Sequence, residues 1–374
     1  MNGEPPRPYR GLRVLDAGQG IAAPYCGMLL AAAGADVIKL EPPEGDWSRG
    51  LSTRAEGQSV MHAAFNRGKR SLALDLKSDS GRAAAQALAA RCDVLIEAFR
   101  PGVAARLGLG PEATREDAVC LSISGFGQKG PNAERPCTDS VAQAFSGLVA
   151  LNQGVDGTPH KVGTYVSDVV TGLYAFAAVQ AALAERAQDT APRRRVLDIS
   201  LLAGTAALIG FPIGEAGLLG RAPGALNIPS GSYQTACGAW VMIALVREAE
   251  FVALAGVLGR PDWTTDPRFA SFGARAENRD AMLAEIRAVF ATRDAAHWLA
   301  ALHGARLMAD RVNTPLDWLS HPHVRAIGGH APVAQPELGE IPFPVLPGFG
   351  AWTRPAPALG QHSDEILAAL RAEA

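Results

Sequence analysis

The sequence of 374 residues predicts an α/β protein, in which a large doubly wound, Rossmann-like domain carries a smaller inserted α+β domain. In the first half of the chain, short apolar segments alternate with helical stretches, the pattern of a parallel sheet covered on both faces. After residue 222, Gly, Pro and Ser become frequent and amphipathic helices replace the alternation. We therefore expect a large domain over 1–222, a small domain over 223–328, and a linker with a return to the large domain over 329–374.

The large domain is built on six predicted strands, most of them separated by a helical stretch. The strands are Arg13–Ala17, Asp36–Glu41, Ser71–Leu76, Asp93–Phe99, Val119–Ser124 and Arg195–Ser200. Helices are predicted over Pro24–Ala33 and Asp79–Arg91, and an Ala-rich helical region runs from 139 to 186. Pro24 suits the first turn of its helix because that position needs no N–H donor.

The small domain is predicted to begin with a hairpin and to continue with helices. The hairpin joins Tyr233–Ala236 to Trp240–Val246, and the helices are Glu248–Leu258, Glu277–Ala291 and Ala295–His303. The segment Gly328–Pro357 is rich in Gly and Pro and is predicted to be a second linker. A short C-terminal helix follows over Ser363–Arg371, with Ser363 as its N-cap.

Charge and cysteine content exclude several classes of protein. The 35 basic and 37 acidic residues give a net charge of −2, without the basic excess typical of nucleic-acid binding. The five cysteines form no C-x-x-C pair, so neither a zinc site nor a disulfide framework is expected. The N-terminal stretch has no signal-peptide core, and the apolar runs 169–184 and 199–214 are shorter than the roughly 20 residues that span a bilayer. We expect a cytoplasmic protein that binds no metal, nucleic acid or membrane.

The turn after the first strand offers one interpretation as an oxidoreductase. The run from Gly18 to Ala23 satisfies the G-x-G-x-x-A pattern of dinucleotide-binding folds, and Glu41 ends the second strand where a ribose-binding acid would stand. Two observations weaken this reading. Pro24 follows at once, and glycines at a strand-to-helix corner commonly serve the tight turn itself.

Several stretches spaced along the chain form an ordered set. They are 14–16 with 21–25, 34–41 with 45–46, 66–77, 93–102, 124–131 and 360–365. Taken in this order, they resemble the class III CoA-transferases, the family that includes formyl-CoA transferase, carnitine CoA-transferase and α-methylacyl-CoA racemase. The resemblance implies an enzyme that moves CoA from an acyl-CoA thioester to a small carboxylic acid, with no permanently bound cofactor.

The resemblance implies that Asp168 is the nucleophile, which forms an acyl anhydride and then an aspartyl-CoA thioester. Asp168 precedes a long apolar stretch, Val169–Leu183, so the residues alone also allow a helix N-cap. Asp139 matches an acidic position of the family. It is a second catalytic candidate, and the cap of a helix over Ser140–Leu151 is the alternative.

The family positions that contact CoA fall on residues suited to an apolar slot and to phosphates. They are Ile21, Ala22, Leu74, Lys77, Ala98, Phe99, Arg100 and Arg106, while Arg135 and Thr138 flank the thioester. Between Trp47 and Arg82, seven basic residues face three acidic ones, a cationic stretch suited to a CoA phosphate. Lys77 is the lysine of that stretch that we expect to be a ligand.

Two further functions stay open. The racemase branch of the family uses a His–Asp pair, but the histidine position is Thr138 here, and a threonine is no base near neutral pH. A racemase-like isomerase is therefore an alternative, and a non-catalytic CoA-binding homologue is another. The resemblance also implies an interlocked homodimer, for which the two predicted linkers would provide the path.

Overall fold

The computed structural model describes residues 7–154, 156–224 and 227–373. The chain forms two compact units, of which the first comprises the chain up to Gly210 together with everything from Arg325 onward. The second unit is Phe211–Val324. These boundaries differ from those expected at 222 and 328. The Gly- and Pro-rich stretch after 222 is no free linker, because Ile228 belongs to the core of the second unit and the Pro229 carbonyl accepts the Tyr233 hydroxyl.

The strands are described in chain order. They are β1 (Arg13–Ala17), β2 (Asp36–Glu41), β3 (Arg54–Ala55), β4 (Gln58–Ser59), β5 (Arg70–Ala73), β6 (Val94–Glu97), β7 (Val119–Ser124), β8 (Arg195–Ser200), β9 (Gly231–Gln234), β10 (Trp240–Ala244), β11 (Met308–Arg311), β12 (His330–Gln335) and β13 (Gly339–Pro344).

The α-helices follow the same numbering. They are α1 (Ala22–Ala32), α2 (Val60–Asn66), α3 (Asp79–Ala89), α4 (Val103–Leu107), α5 (Asp139–Ser146), α6 (Leu148–Leu151), α7 (Val166–Arg186), α8 (Leu201–Leu208), α9 (Gly210–Leu219), α10 (Glu248–Val257), α11 (Phe272–Glu277), α12 (Arg279–Phe290), α13 (Ala295–Gly304), α14 (Pro315–Ser320), α15 (Pro322–Ala326) and α16 (Ser363–Ala372). Short 3₁₀ helices lie at Trp47–Gly50, Pro111–Ala113 and Pro261–Thr264.

The central sheet of the first unit has six parallel strands in the order β5-β2-β1-β6-β7-β8. The chain moves outward from β1 through β2 to β5, returns to the other side of β1, and moves outward again through β6 to β8. The doubly wound fold predicted from the sequence is thus confirmed. In such a sheet, a ligand crevice opens where the two directions part, at the carboxyl ends of β1 and β6.

The longest helix, α7, fixes the layer on one side of this sheet. Its buried face is made of small or apolar residues, including Gly172, Ala175 and Val179, and it packs against α1 and α8. A Cβ on Gly172 would lie only 2.8 Å from the Ala22 carbonyl oxygen, so glycine permits this close crossing. With 21 residues, α7 exceeds the predicted apolar run and is long and apolar enough to span a bilayer by those two measures alone.

The C-terminal segment corrects two expectations. The predicted linker Gly328–Pro357 contains the antiparallel hairpin β12–β13, whose Val333 and Phe343 form a small core with Ala63 of α2. Ser363 is not an N-cap: it is the first residue of α16, and its hydroxyl accepts the N–H of Ala73 at the end of β5. That side chain is engaged in tying the tail to the central sheet and does not cap its own helix.

The second unit has its own core. The antiparallel sheet β11-β10-β9 carries Tyr233, Val241 and Ile243 on its buried face, and helices α10, α12 and α13 contribute to the same core. The ring of Tyr233 stacks on that of Phe290 with centroids 5.0 Å apart. The predicted hairpin strands and all three predicted helices are present, shifted by two residues or fewer at their ends.

Candidate active site

Three cavities run along the carboxyl edge of the central sheet, where the switch in strand order places a crevice. The aspartate cavity, about 400 Å³, is lined by Ile21, Ala22, Thr138, Asp139 and Asp168, among others. The arginine cavity, about 400 Å³, is lined by Ala98, Phe99, Arg100, Arg135 and Thr138. The lysine cavity, about 370 Å³, is lined by Leu74, Lys77 and Phe99.

These cavities adjoin one another through shared residues. Ala98 and Thr138 line both the aspartate and the arginine cavity, and Phe99 lines both the arginine and the lysine cavity. The structure thus brings the predicted site residues together along one trough, apart from Arg106. Arg106 is exposed on α4 and lines none of the three cavities, although its neighbour Leu107 lines the lysine cavity.

Asp168 is the third residue of α7, and its carboxyl group lies in the aspartate cavity. Within the described residues, this carboxyl group has no hydrogen-bond or ion-pair partner, and the helix N-cap is Tyr165. The structure therefore excludes the interpretation of Asp168 as an N-cap. Burial, and secondarily the charge of Asp139, raise the pKa of Asp168 to about 7.

Asp139 is buried and caps a helix other than its own. Its Oδ2 accepts the N–H of Ser167 at 2.8 Å and that of Asp168 at 3.3 Å, in the first turn of α7. Its Oδ1 accepts the Nε2 of Gln143 at 2.6 Å. The alternative role, cap of a helix over Ser140–Leu151, is wrong on two points. Asp139 is not the cap of that helix but the first residue of α5, and the helix does not reach Leu151 unbroken because it ends at Gly147, whose φ is +95°.

Three helices begin at the aspartate cavity. Ala22 of α1 and Asp139 of α5 are the first residues of their helices, and Asp168 lies in the first turn of α7. The first N–H groups of a helix have no partner within the helix, and the helix dipole places positive potential at this end. In α7, two of these N–H groups already donate to Asp139, so the starts of α1 and α5 are what suit the cavity to a carboxylate, a thiolate or a tetrahedral oxyanion. Burial disfavours a charge on Asp168 itself.

The glycine turn after β1 is occupied by protein carboxylates. Asp16 Oδ1 accepts the Gly18 N–H at 3.0 Å, both carboxylate oxygens of Asp46 accept the Gly20 N–H, and Lys39 donates to the Gly18 carbonyl. These N–H groups are not free to cradle a pyrophosphate.

Glu41, the apparent ribose-binding acid, is equally engaged. It is buried and accepts two hydrogen bonds from Arg49, at 2.7 and 2.8 Å, and one from the Ser71 hydroxyl. The structure thus gives the dinucleotide-like pattern a structural use and argues against the oxidoreductase interpretation.

The predicted cationic stretch between Trp47 and Arg82 is mostly consumed by the fold. Four of its members form ion pairs and two donate to carbonyl oxygens: Arg49 with Glu41, Lys69 with Asp16, Arg70 with Asp36, Arg82 with Asp79, Arg54 with Gly50 and Arg67 with Trp352. Lys77 is the exception, because it is exposed, lines the lysine cavity and forms no ion pair within the described residues. Six of the seven basic side chains of the stretch are thus engaged by the protein itself, while Lys77, the lysine expected to be a ligand, is available at the lysine cavity.

The lining residues of the aspartate cavity that sequence reasoning missed include Gln19, Trp47, Cys137 and Tyr165. A Cβ on Gly20 would lie 2.3 Å from the ring of Trp47, so glycine there lets the indole approach the turn. The available signal was an aromatic residue directly after the matched Gly45–Asp46 pair. Burial, together with Asp168, raises the pKa of Cys137 to about 11, so its thiol stays protonated and is a poor competing nucleophile.

The chain is similar to known proteins over nearly its whole length. Residues 9–363 match the model of CoA-transferase family III. The chain is 35% identical to a succinyl-CoA–D-citramalate CoA-transferase of Chloroflexus aurantiacus, covering 97% of this chain and 94% of that one. It is 34% identical to an acetyl-CoA:oxalate CoA-transferase of Acetobacter aceti, covering 81% and 80%. The crystal structure of a CaiB/BaiF family protein from Brucella suis superposes with a TM-score of 0.82 at 29% identity, covering 98% and 100%.

Proposed function

The chain belongs to CoA-transferase family III and is a CoA-transferase, and from this premise we propose that it works through covalent intermediates on Asp168. One observation carries the proposal. A carboxyl group without hydrogen-bond partners among the described residues lies in a cavity at which three helices begin, next to the trough of predicted CoA residues. A carboxylate held free of partners is available to attack a carbonyl carbon.

In the first half of the reaction, an Asp168 oxygen attacks the thioester carbonyl carbon of the donor acyl-CoA. The C–S bond breaks, CoA leaves as a thiolate, and a mixed anhydride joins the acyl group to Asp168. The thiolate then attacks the aspartyl carbonyl carbon. The anhydride C–O bond breaks, the donor acid leaves as a carboxylate, and an aspartyl-CoA thioester remains.

In the second half, the acceptor carboxylate attacks the aspartyl thioester and expels the thiolate again. The thiolate attacks the acyl carbonyl of the new anhydride, which releases the product acyl-CoA and restores the Asp168 carboxylate. No proton is consumed and nothing is oxidised or reduced. The N–H groups at the start of α1 offer stabilisation to the tetrahedral oxyanions, because Ala22 and Ala23 line the cavity and the first N–H groups of a helix lack internal partners.

We propose that CoA lies along the trough with its thioester at Asp168. Phe99 and Leu74 provide apolar surface for the adenine, and Lys77 is placed for a phosphate at the far end. Arg100 and Arg135 line the intermediate arginine cavity. Arg106 is the least supported of these ligands because it lines no part of the trough.

The acid substrates are proposed to be small dicarboxylic acids. Support comes from the names of two relatives, which give succinyl and D-citramalate for one and acetyl and oxalate for the other, so that three of the four acids are dicarboxylic. The aspartate cavity of about 400 Å³, lined by Trp47, Tyr165 and Gln19, offers polar and aromatic groups to a compact polar acid.

A racemase-like isomerase is less well supported by the same cavity. Moving a proton between two faces of a carbon requires two bases. Among the residues that the structure describes, the lining of the aspartate cavity contains Asp139 and Asp168 and no histidine, and both oxygens of Asp139 accept hydrogen bonds.

We further propose a homodimer, interlocked as the resemblance implies, in the cytoplasm. Support comes from large apolar side chains that are exposed on the first unit and would be available to a partner subunit: Phe145 of α5, Leu173 and Tyr174 of α7, and Val196 of β8. The five cysteines are free thiols, which suits a reducing compartment. A stable monomer in a sizing measurement would contradict the dimer.

Trapping the intermediate tests the proposed function. Incubation with a succinyl-CoA donor and hydroxylamine should place a hydroxamate on Asp168, located by peptide mass mapping, and Asp168→Ala should abolish both the adduct and transfer. CoA binding without any adduct would identify a non-catalytic homologue. Exchange of an α-proton with D₂O in the absence of transfer would favour the isomerase. Unimpaired transfer by Asp168→Ala would sink the assignment of the nucleophile.

A further inference from the structure

Gln143 is a buried glutamine one helical turn after Asp139 on α5. Residues four apart lie on the same helix face, and the two side chains are hydrogen-bonded. Gln143 does not line the aspartate cavity. No cysteine, glycine or charge pattern of the sequence singles it out. Its side-chain hydrogen bonds, however, all connect to the segment that carries Asp168 or to Asp139.

The amide side chain of Gln143 forms three hydrogen bonds, two to the backbone of the segment before α7 and one to Asp139, which caps α7. Oε1 accepts the Val162 N–H at 2.8 Å, and Nε2 donates to Asp139 Oδ1 at 2.6 Å and to the Thr164 carbonyl at 3.4 Å. The amide therefore holds the chain that enters α7 and, at the same time, one oxygen of the carboxylate that caps α7.

The second oxygen of Asp139 completes the connection. It accepts the N–H groups of Ser167 and Asp168, so the amide of Gln143, the carboxylate of Asp139 and the backbone of Asp168 form one continuous chain of hydrogen bonds. The N-cap residue Tyr165 gives no side-chain cap of its own. The direction in which the Asp168 side chain points from α7 thus depends on Asp139, and the orientation of the Asp139 carboxylate depends on Gln143.

We infer that Gln143 is a positioning residue of the transfer reaction, which aims the Asp168 carboxylate through Asp139 without touching substrate. This inference rests on the proposed role of Asp168. Displacing a reacting group by about 1 Å costs on the order of 100-fold in rate, so loosening this chain of bonds should act on kcat. CoA binding should change little, because the lysine and arginine cavities lie on other residues.

The test compares Gln143→Leu with Gln335→Leu. Gln335 is an equally buried glutamine of the first unit, which clips the N–H and carbonyl of Ala356 at 2.9 and 3.0 Å. Both changes remove an amide that binds backbone groups, so a purely structural role predicts similar losses in Tm and unchanged kcat per folded molecule. We expect kcat of Gln143→Leu to fall 10- to 100-fold, with KM for acyl-CoA within about twofold of the wild type. Equal kcat in the two folded variants would overturn the inference.

Gln143→Glu provides a second measurement if Gln143→Leu does not fold. It keeps the acceptor for Val162 and brings a carboxylate next to Asp139. The titratable groups lining the cavity with Asp168 are Cys137, Asp139 and Tyr165. Additional negative charge here should raise the pKa of Asp168. The rise of kcat/KM on the acid side of the pH profile should then move to higher pH by about half a unit or more, with reduced kcat. The inference would be refuted if this variant kept the wild-type kcat and the wild-type pH dependence of kcat/KM.

The two failures can be told apart. If the wild type yields no adduct on Asp168, the proposed nucleophile falls, and with it the inference that Gln143 aims that carboxylate. If the adduct forms and both glutamine variants transfer equally well, Asp168 stands and Gln143 is only structural.

Discussion

Replacing Asp168 by asparagine should abolish transfer and, at the same time, stabilise the fold. The side chains are nearly isosteric, so the change removes a charge with little effect on packing. Burial and Asp139 raise the pKa of Asp168 from 3.8 to about 7. A raised pKa means that the native state binds this proton more tightly than the unfolded chain. The free energy of unfolding therefore decreases as pH rises from about 4 to about 7.

The size of the effect follows from the shift. The difference of 7 − 3.8 = 3.2 units, at 1.36 kcal/mol per unit, gives at most about 4 kcal/mol of destabilisation above pH 7. The asparagine variant escapes this penalty, so it should be more stable than the wild type by up to about 4 kcal/mol at pH 8. At pH 5 the gain should be less than half as large, because the wild-type carboxyl group is then mostly protonated. In a chain of this size, the gain at pH 8 corresponds to a Tm increase on the order of 5–10 °C.

Thermal unfolding of both proteins at pH 5 and pH 8 measures this difference. The protein concentration must be held constant, because association would make Tm depend on it. Asp280→Asn, at an exposed position of the second unit, is the control and should change stability by less than about 0.5 kcal/mol at either pH. The reasoning is refuted if Asp168→Asn is no more stable than the wild type at pH 8, or if its gain is the same at both pH values.

Three further outcomes follow from the same contacts. The kcat/KM of the wild type should rise with pH through about 7 and then level off, since Asp168 must be ionised to attack. Asp139→Asn should move this rise to lower pH, because it removes a negative charge near Asp168. Steady-state rates between pH 5 and 9 measure both effects. Lys77→Ala should raise KM for acyl-CoA about 10-fold with kcat nearly unchanged, whereas Lys129→Ala, at an exposed lysine outside the trough, should not; equal KM values would remove Lys77 from the site. Gly172→Ala should lower stability by about 1–3 kcal/mol in urea unfolding, because the new Cβ would lie 2.8 Å from the Ala22 carbonyl oxygen, while Gly217→Ala on α9, with open space around it, should be tolerated.

The central sheet was predictable because its strands carry local signals. β1, β2, β7 and β8 begin and end at the predicted residues, since each is a short, mostly apolar run that differs in composition from the helical stretches and turns around it. The hairpin β12–β13 was missed for the opposite reason. It contains Pro332, Pro342 and Pro344, so its composition is that of a linker, yet its two neighbouring strands pair with each other and pack on α2, which lies far away along the chain.

The candidate site divides in the same way. Asp168, Lys77 and Phe99 were found through their match to a family pattern. Trp47 and Tyr165 line the aspartate cavity, and Gln143 is hydrogen-bonded to Asp139, only because segments far apart in the sequence meet in the fold. Charge counting failed between Trp47 and Arg82, since a count of basic residues does not show which of them pair with buried acids such as Asp16 and Glu41.

The sequence by itself determined the doubly wound sheet, the family resemblance and the choice of Asp168, because periodicity, turn chemistry and ordered motifs are local properties of the chain. Only the tertiary structure decided which charged residues form hydrogen bonds and ion pairs within the protein and which remain available in the cavities. It engaged the glycine turn with Asp16 and Asp46, made Asp139 the cap of α7, and left Asp168 without a partner among the described residues. The free energy of a buried charge depends on what surrounds it in space. For Asp46 at Gly20 and for Asp139 at Ser167 and Asp168, the partners lie 26 to 29 residues apart along the chain.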